Sequence, residues 1–321
     1  MAFLGFDTSN YTTSAALYFP EENKIIHKKM LLPVKAGEKG LRQSDAVFHH
    51  VQQLHSVCEM LFADCELNIE SIGASAFPRM AEGSYMPCFL VGLNSAKIIS
   101  SLNSIKLHIS SHQIGHILAA LYGADRLELI NERFIAFHLS GGTTEALLVE
   151  PDEKEIIKCT VIGESSDLKA GQAIDRVGVM LGMNFPCGAE LDKLSQISHE
   201  NYKIRPSVKG TDISLSGLEN KCKGMFESGN KHCDIAKYCI QYICASVEKM
   251  TENIISRYGK LPIVYSGGVM SNTYMKKHLT DKFDGIFAPL EFSGDNAAGI
   301  AIMACLKEKK INVNNFNCQS D

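Results

Sequence analysis

His112 and His116 stand four residues apart in the segment SHQIGHILAA. On a helix that spacing puts both imidazoles on one face, the arrangement by which two histidines share a metal ion. Solvated helices carry the same spacing more often than metal sites do, so a third ligand has to decide. Asp295, in FSGDNAAGIA and just ahead of a run of small residues, is the best candidate. The segment lacks the glutamate of HExxH, which leaves metalloprotease chemistry without a general base. Three further short segments suit an anion: Asp7-Thr8-Ser9, Ser140-Gly141-Gly142 and Ser266-Gly267-Gly268-Val269, each following an apolar stretch. Glycine after a strand lets backbone N–H groups approach a phosphate closely, and hydroxyls add donors. Singly, each reads as a tight turn; together they point to a nucleotide phosphate. Asp7 stands where a carboxylate can face a metal, a water or a sugar hydroxyl. Asp175, in AGQAIDRVGVMLG, reads either as a surface acid or as a ligand contact. Glycine costs about 1 kcal/mol against alanine inside a helix, so Gly171 and Gly178 favour a crowded face beside a ligand.

These residues need elements to hold them, and the clearest sign of those is an internal echo. Residues 3–18 read FLGFDTSNYTTSAALY and residues 134–149 read FIAFHLSGGTTEALLV. Phe3 and Phe134, Phe6 and Phe137, Ser9 and Ser140, Thr12 and Thr143, Thr13 and Thr144, Ala15 and Ala146, and Leu17 and Leu148 fall at matching positions. Each segment is an apolar strand, a small polar turn and a second apolar strand, which is a hairpin. Two such hairpins opening two halves of similar length predict a duplicated α/β lobe. Periodicity predicts helices over 45–63, 89–103, 112–122, 168–182, 234–257, 271–280 and 295–308. Short strands are expected at 72–77, 105–109, 156–163, 262–266 and 286–288, with a loop-rich stretch at 199–213 and a frayed tail over 309–321. Alternating strands and helices make an α/β class. The expected division is 1–130 plus 296–321 for one lobe and 131–295 for the other, packed across a nucleotide cleft.

Composition narrows the partners. The 321 residues carry 32 Lys and Arg against 36 Asp and Glu, a net charge of −4, so no strong positive field surrounds the chain. Lys28, Lys29, Lys35, Arg42, Lys276 and Lys277 are scattered rather than gathered in a stripe. Binding of nucleic acid by this chain alone should therefore be weak, and any such contact must be local or shared with a partner. No segment approaches the roughly 18 uninterrupted apolar residues of a membrane helix, and a charge arrives too early for a signal peptide. The chain reads as cytoplasmic. Its 11 cysteines form no CxxC pair and read as reduced thiols in apolar surroundings.

The motifs also occur in a telling order: DTS near the N-terminus, HxxGH, SGGxT, GESxD, AGxAxDRxxxxLG, SLSGL, SGGVxSN and SGDNAAGIA. In that order they resemble the TsaD family, which transfers a threonylcarbamoyl group from threonylcarbamoyl-adenylate to N6 of adenosine in tRNA. The resemblance runs from about residue 3 to residue 306. It implies the fold shared by actin, sugar kinases and heat-shock chaperones (ASKHA), in two duplicated lobes. It implies one metal ion, iron or zinc, on His112, His116 and Asp295. His138, Leu139, Ser140, Gly141 and Gly142 would line the nucleotide and acyl phosphate. Asp175 and Gly188 would contact adenosine, Gly267, Gly268 and Asn272 would close that pocket, and Asp7 and Ser9 would belong to the catalytic group. Implied partners are an adenine nucleotide or acyl-adenylate, tRNA and accessory protein subunits.

Departures from the family pattern cluster on the acceptor side and are those of a divergent bacterial paralogue. ETSCDET becomes DTSNYTT, which replaces an acidic pair by Tyr11 and Thr12. A glycine-proline-glycine loop becomes Pro78-Arg79-Met80-Ala81-Glu82-Gly83, the histidine of SGGHT becomes Thr143, the lysine after SGL becomes Glu219, and a turn glycine becomes Cys187. A carbamoyl or acyl transferase with another acceptor, and a non-catalytic nucleotide-binding subunit, are the alternatives.

Overall fold

The computed structural model describes residues 1–9, 11–33, 41–63 and 68–309. Lys35, Cys65, Cys318 and the expected frayed tail from residue 310 lie outside them. The chain divides into two compact units: Met1–Glu132, Glu150–Cys159 and the residues from Glu291 onward in the first, and Arg133–Val149 with Thr160–Leu290 in the second.

The first unit is built on a five-stranded sheet. β1 (Ala2–Ser9), β2 (Thr12–Phe19) and β3 (Lys24–Leu31) form an antiparallel meander. After α1 (Gln43–Phe62), β4 (Ile69–Phe77) joins β1 in parallel; after α2 (Phe89–Asn103), β5 (Lys106–Ser111) joins β4 in parallel. All eight residues of β1 are buried, as a central strand covered on both faces requires. Leu4, Phe6, Ala15 and Leu17 pack under Leu54, Val57 and Leu61 of α1 and Leu93 and Ala96 of α2. β5 runs directly into α3 (His112–Gly123), where the Ser111 side chain accepts from the Ile114 N–H and caps the helix.

The second unit repeats the pattern. β6 (Phe134–Leu139) and β7 (Thr144–Asp152) are antiparallel, β8 (Ile156–Glu164) lies beyond β7, and α4 (Ala170–Met180) and α5 (Gly188–Ile197) follow. A small ribbon of β9 (Ser207–Lys209) and β10 (Asp212–Ser214) precedes α6 (Ser216–Glu227) and the long α7 (His232–Tyr258). β11 (Ile263–Ser266) pairs in parallel with β6, α8 (Thr273–Phe283) follows, and β12 (Ile286–Phe287) pairs in parallel with β11. The two sheet orders, β3-β2-β1-β4-β5 and β8-β7-β6-β11-β12, are the same, strand for strand. The echo extends to register: Thr8 pairs with Thr13 in one hairpin and Leu139 with Thr144 in the other. α7 buries Ile235, Cys239, Ile243, Val247, Met250 and Ile254 at helical spacing, while Phe137, Tyr265 and Phe287 stack across the sheet at 4.9 Å between successive rings.

The chain then returns to the first unit through α9 (Leu290–Ser293) and α10 (Ala298–Lys309), whose residues from Ala298 to Leu306 are all buried. α10 comes close because glycines meet it. A Cβ on Gly5 of β1 would lie 2.5 Å from the Ala301 nitrogen and 2.7 Å from the Ala297 oxygen. One on Gly73 of β4 would lie 2.5 Å from the Ile300 oxygen, and one on Gly299 would overlap the Gly115 carbonyl of α3.

Three expectations need correction. β3 has no assignment from periodicity, because the lysines of this edge strand break the alternation. α5 and α6 are likewise unassigned: both are polar, and each buries only a narrow stripe, such as Leu218 and Cys222 of α6. The stretch 199–213, expected as loop, contains β9 and most of β10. The described cysteines are free thiols, as expected.

Gly299→Ala gains helix propensity but forces a methyl group into the Gly115 backbone. We expect a net loss of about 1–3 kcal/mol in denaturant unfolding, the range for overpacking a filled core. Gly141→Ala, where a Cβ meets nothing within 4 Å, should leave stability unchanged.

Candidate functional site

In the first unit the helix α3 places His112 at its first residue and His116 one turn on, and their rings meet edge to face at 4.2 Å. The segment before α10 brings Asp295 to both: its Oδ1 lies 3.1 Å from His116 Nε2 and 3.6 Å from His112 Nε2. The three donor atoms lie within 4.8 Å of one another, and among the described residues no other group of three potential ligands does so. Electrostatics agrees with a cation site. Burial opposes a charge on His112, yet the carboxylates of Asp7 and Asp295 outweigh it and lift its pKa to about 10. Burial likewise raises Asp295, but hydrogen bonds from His112 and His116 hold it well below the usual carboxylate range. Two imidazoles and a carboxylate are a set of donors that could hold a metal ion.

Asp7 does not face outward. It is 1% exposed, and its Oδ2 is 2.6 Å from His112 Nδ1. A carboxylate on Nδ1 orients the ring and leaves Nε2 facing Asp295. Asp7 Oδ1 and the hydroxyl of Ser9, both on β1, are buried without a hydrogen-bond partner. Phe89, at the start of α2, packs 5.9 Å from the His112 ring, and the Gln113 N–H donates to the Pro78 carbonyl, which ties the loop after β4 to the start of α3.

In the second unit the three loops that follow β6, β8 and β11 meet. The Ser140 hydroxyl accepts from the N–H groups of Gly142 and Thr143, and the Ser140 N–H donates to the Thr143 carbonyl, closing the turn. Gly171, in the first turn of α4, donates its N–H to the Ser140 carbonyl; a Cβ there would lie 2.6 Å from the Gly141 nitrogen. Gly267 has φ +94°, and a Cβ on it would overlap the Leu139 carbonyl. Ser266 pairs with His138 in the sheet, and the Ser266 hydroxyl lies 3.3 Å from His138 Nδ1. His138, Leu139, Ser140, Gly141, Gly142 and Gly267 are thus brought together, and the space above Gly141, Gly142 and Gly268 is open.

Asp175, on α4, accepts from the Cys187 N–H at 2.8 Å, which sets it beside Gly188 at the start of α5. Burial raises its pKa, and the Cys187 N–H opposes the rise. Asn272 caps α8, its Oδ1 accepting from the Met275 N–H, and its Nδ2 donates to Asp192 of α5. The crowding around Asp175 comes from the protein itself: Gly171 gives way to the Ser140 turn, and Gly178 to the Cys187 side chain.

Several residues that shape the site carry no signal in their own spacing. Asp192 accepts from Asn272 and from the backbone and hydroxyl of Thr273, joining α5 to α8. Asp167 accepts from the Ser214 hydroxyl and from the N–H groups of Leu168, Leu215 and Ser216; though burial would raise it, these donors hold its pKa below the usual carboxylate range. It thereby anchors the SLSGL segment to the start of α4. Asp167 stands just ahead of α4, whereas Asp192 lies within α5, and neither position by itself hints at its role.

Replacing both histidines leaves one of the three candidate ligands, so elemental analysis of His112→Ala/His116→Ala protein should find no bound metal. Asp7→Ala keeps all three ligands but frees the His112 ring; metal affinity in a chelator competition should fall about 10–100-fold.

The geometry can be set beside known proteins. The model of the tRNA N6-adenosine threonylcarbamoyltransferase family, TsaD, matches residues 30–302. Proteins of that name from Lactococcus lactis subsp. cremoris and Francisella tularensis subsp. holarctica are 26% and 27% identical to this chain, covering 96% and 94% of it and 92% and 93% of their own length. Solved structures share the fold at lower identity. The (R)-2-hydroxyglutaryl-CoA dehydratase component A of Acidaminococcus fermentans gives a TM-score of 0.56 at 15% identity, over 96% of this chain and 98% of that one. A ROK family glucokinase from Streptomyces griseus gives 0.52 at 11%, over 96% and 100%. Both belong with the actin-like proteins, and so does the architecture described above. On the reach of the family match and the near-complete overlap with its named relatives, the chain belongs to the TsaD family.

Proposed function

We propose that this protein transfers a threonylcarbamoyl group from threonylcarbamoyl-adenylate to N6 of an adenosine in tRNA, with a metal ion held by His112, His116 and Asp295. The observation that carries the reading is the convergence of these three side chains in the first unit beneath a buried Asp7–His112 hydrogen bond. A zinc or iron ion there would act as a Lewis acid toward an anionic oxygen of the donor. The chain's own residues do the rest. Asp7 orients His112, and Ser9 offers the one hydroxyl on that end of β1 that no protein group occupies. In the second unit the open turn Ser140–Gly142 takes the adenylate phosphate, flanked by His138 and Leu139. Asp175, Gly188, Gly267, Gly268 and Asn272 take the nucleoside, with the Asp175 carboxylate accepting from ribose hydroxyls. In the transfer, the adenosine amine nitrogen bonds to the carbamoyl carbon, the carbon–oxygen bond to phosphate breaks, AMP leaves, and the amine loses a proton.

An accessory subunit is part of this reading, and so is a cytoplasmic location beside tRNA. Lys28 and Lys29 lie on β3 whereas Lys276 and Lys277 lie on α8, so these lysines are divided between separate elements. In the first unit, α1 and α2 leave an apolar groove of about 590 Å³, with Val51 62% and Ile98 60% exposed. Apolar surface of that kind is what a protein partner covers. No helix among the described residues is long and apolar enough to cross a membrane.

A second reading, transfer to another acceptor, is favoured by the charge change next to the nucleotide turns. Glu219, in place of the family's lysine, pairs with Arg176 at 2.7 Å. The deciding experiment incubates the protein with threonylcarbamoyl-adenylate and unmodified tRNA, with and without family accessory subunits, and assays the modified nucleoside. Modified tRNA is the expected product. Donor binding without any modification, partners included, would move the assignment to another acceptor. Gly141→Val fills the open space above the turn without altering charge, so calorimetry should show AMP affinity reduced at least tenfold while unfolding is unchanged.

A further inference from the structure

The segment that delivers Asp295 is fixed at two points. Downstream, Asn296 caps α10 by accepting from the Ala298 N–H at 2.9 Å, and its Nδ2 donates to the Gly294 carbonyl at 2.7 Å. That side belongs to the SGDN motif itself. The upstream side does not. Glu291, four residues before the ligand, accepts from His27 Nε2 at 2.9 Å. His27 lies in the middle of β3, its side chain only 11% exposed, whereas Glu291 is 63% exposed. The next residue, Phe292, sits between two rings: His27 at 5.6 Å and Tyr122 of α3 at 5.2 Å. Tyr122 is held in turn by its hydroxyl, which donates to the Asn23 carbonyl just before β3. Ser293 is 3% exposed, which leaves little slack between the contact and the ligand.

We infer that His27, with Glu291 and Phe292, is a positioning clasp for the metal ligand Asp295. The inference rests on the metal reading above and extends it to a residue that touches neither metal nor substrate. A carboxylate on a loop must be ordered before it ligates, and ordering its backbone costs conformational entropy. The clasp meets that cost through contacts within the protein, which hold the third ligand beside the histidines. Its strength comes from partial burial, since a fully exposed pair of this kind contributes little.

The test measures Zn²⁺ affinity by chelator competition, and the Co²⁺ d–d absorption, in the full chain carrying His27→Ala, Glu291→Ala, Glu291→Gln or both alanines. Glu291 is exposed, so Glu291→Ala should unfold like the unsubstituted protein. We expect His27→Ala and Glu291→Ala each to weaken Zn²⁺ about tenfold and to change the Co²⁺ spectrum, as loss of outer support for a ligand does. The double variant should be no weaker than the weaker single one, because both act through one contact. Glu291→Gln keeps an oxygen acceptor for His27 and should retain affinity. Unaltered Zn²⁺ affinity and Co²⁺ spectrum in Glu291→Ala would overturn the clasp while leaving the metal site standing. Failure of the unsubstituted protein to bind either ion would remove the site and the clasp together.

Discussion

How closely α10 approaches β1, β4 and α3 governs the rest of the first unit. A helix lies against a sheet at the distance its side chains allow, and interiors packed like organic crystals have no slack to absorb an added methyl. Here Gly5, Gly73 and Gly299 remove the Cβ atoms that would hold the elements apart. The Gly299 contact with Gly115 matters most, because Gly115 precedes His116 on α3 and Gly299 lies one turn after Asp295. The backbone contact therefore sets how far apart the ligands stand. It also sets where α3 begins relative to β1, and with it the reach from Asp7 to His112. The triangle of His112, His116 and Asp295, drawn from two distant parts of the chain, depends on three or four missing methyl groups.

The second unit uses the same physics for a different end. Gly171 and Gly267 let two neighbouring loops close on the Ser140 turn, whose own glycines stay open above. Two hairpins of the same register thus finish differently. The β1 end is sealed and holds a carboxylate against an imidazole, in surroundings that strengthen the interaction. The β6 end is uncovered and offers small residues. The same strand order thus ends in a buried acid on β1 and in open glycines after β6.

Much of this was legible in the residues. The hairpin echo, the long helices and the His112–His116 pair follow from apolar periodicity and ligand spacing, which are local signals; Asp295 was reached through its motif and the family resemblance. Contacts made at long range were not. Asp7 was visible as an acid after a strand, but its partner lies 105 residues away, and no spacing rule links a strand to a helix cap so distant. The Glu291–His27 contact spans 264 residues and joins a loop to an edge strand that periodicity did not reveal. Asp192 and Asp167 look like ordinary helix and loop acids, and only the fold gives them their donors. Glycines showed the opposite fault. Gly171 and Gly178 do mark crowding, but sequence cannot say whether a ligand or the protein causes it.

β3 closes one edge of the first sheet, and an edge is a row of unpaired backbone donors and acceptors that invites another strand. Lys24, Lys28 and Lys29 line it, all exposed, while the segment around Glu291 lies against its middle. Charge and cover of this kind deter strand-to-strand association between molecules. These lysines therefore serve the protein's colloidal stability rather than a hold on a polyanion. Replacing them to probe nucleic-acid binding would disturb the protein's behaviour at high concentration before it altered recognition.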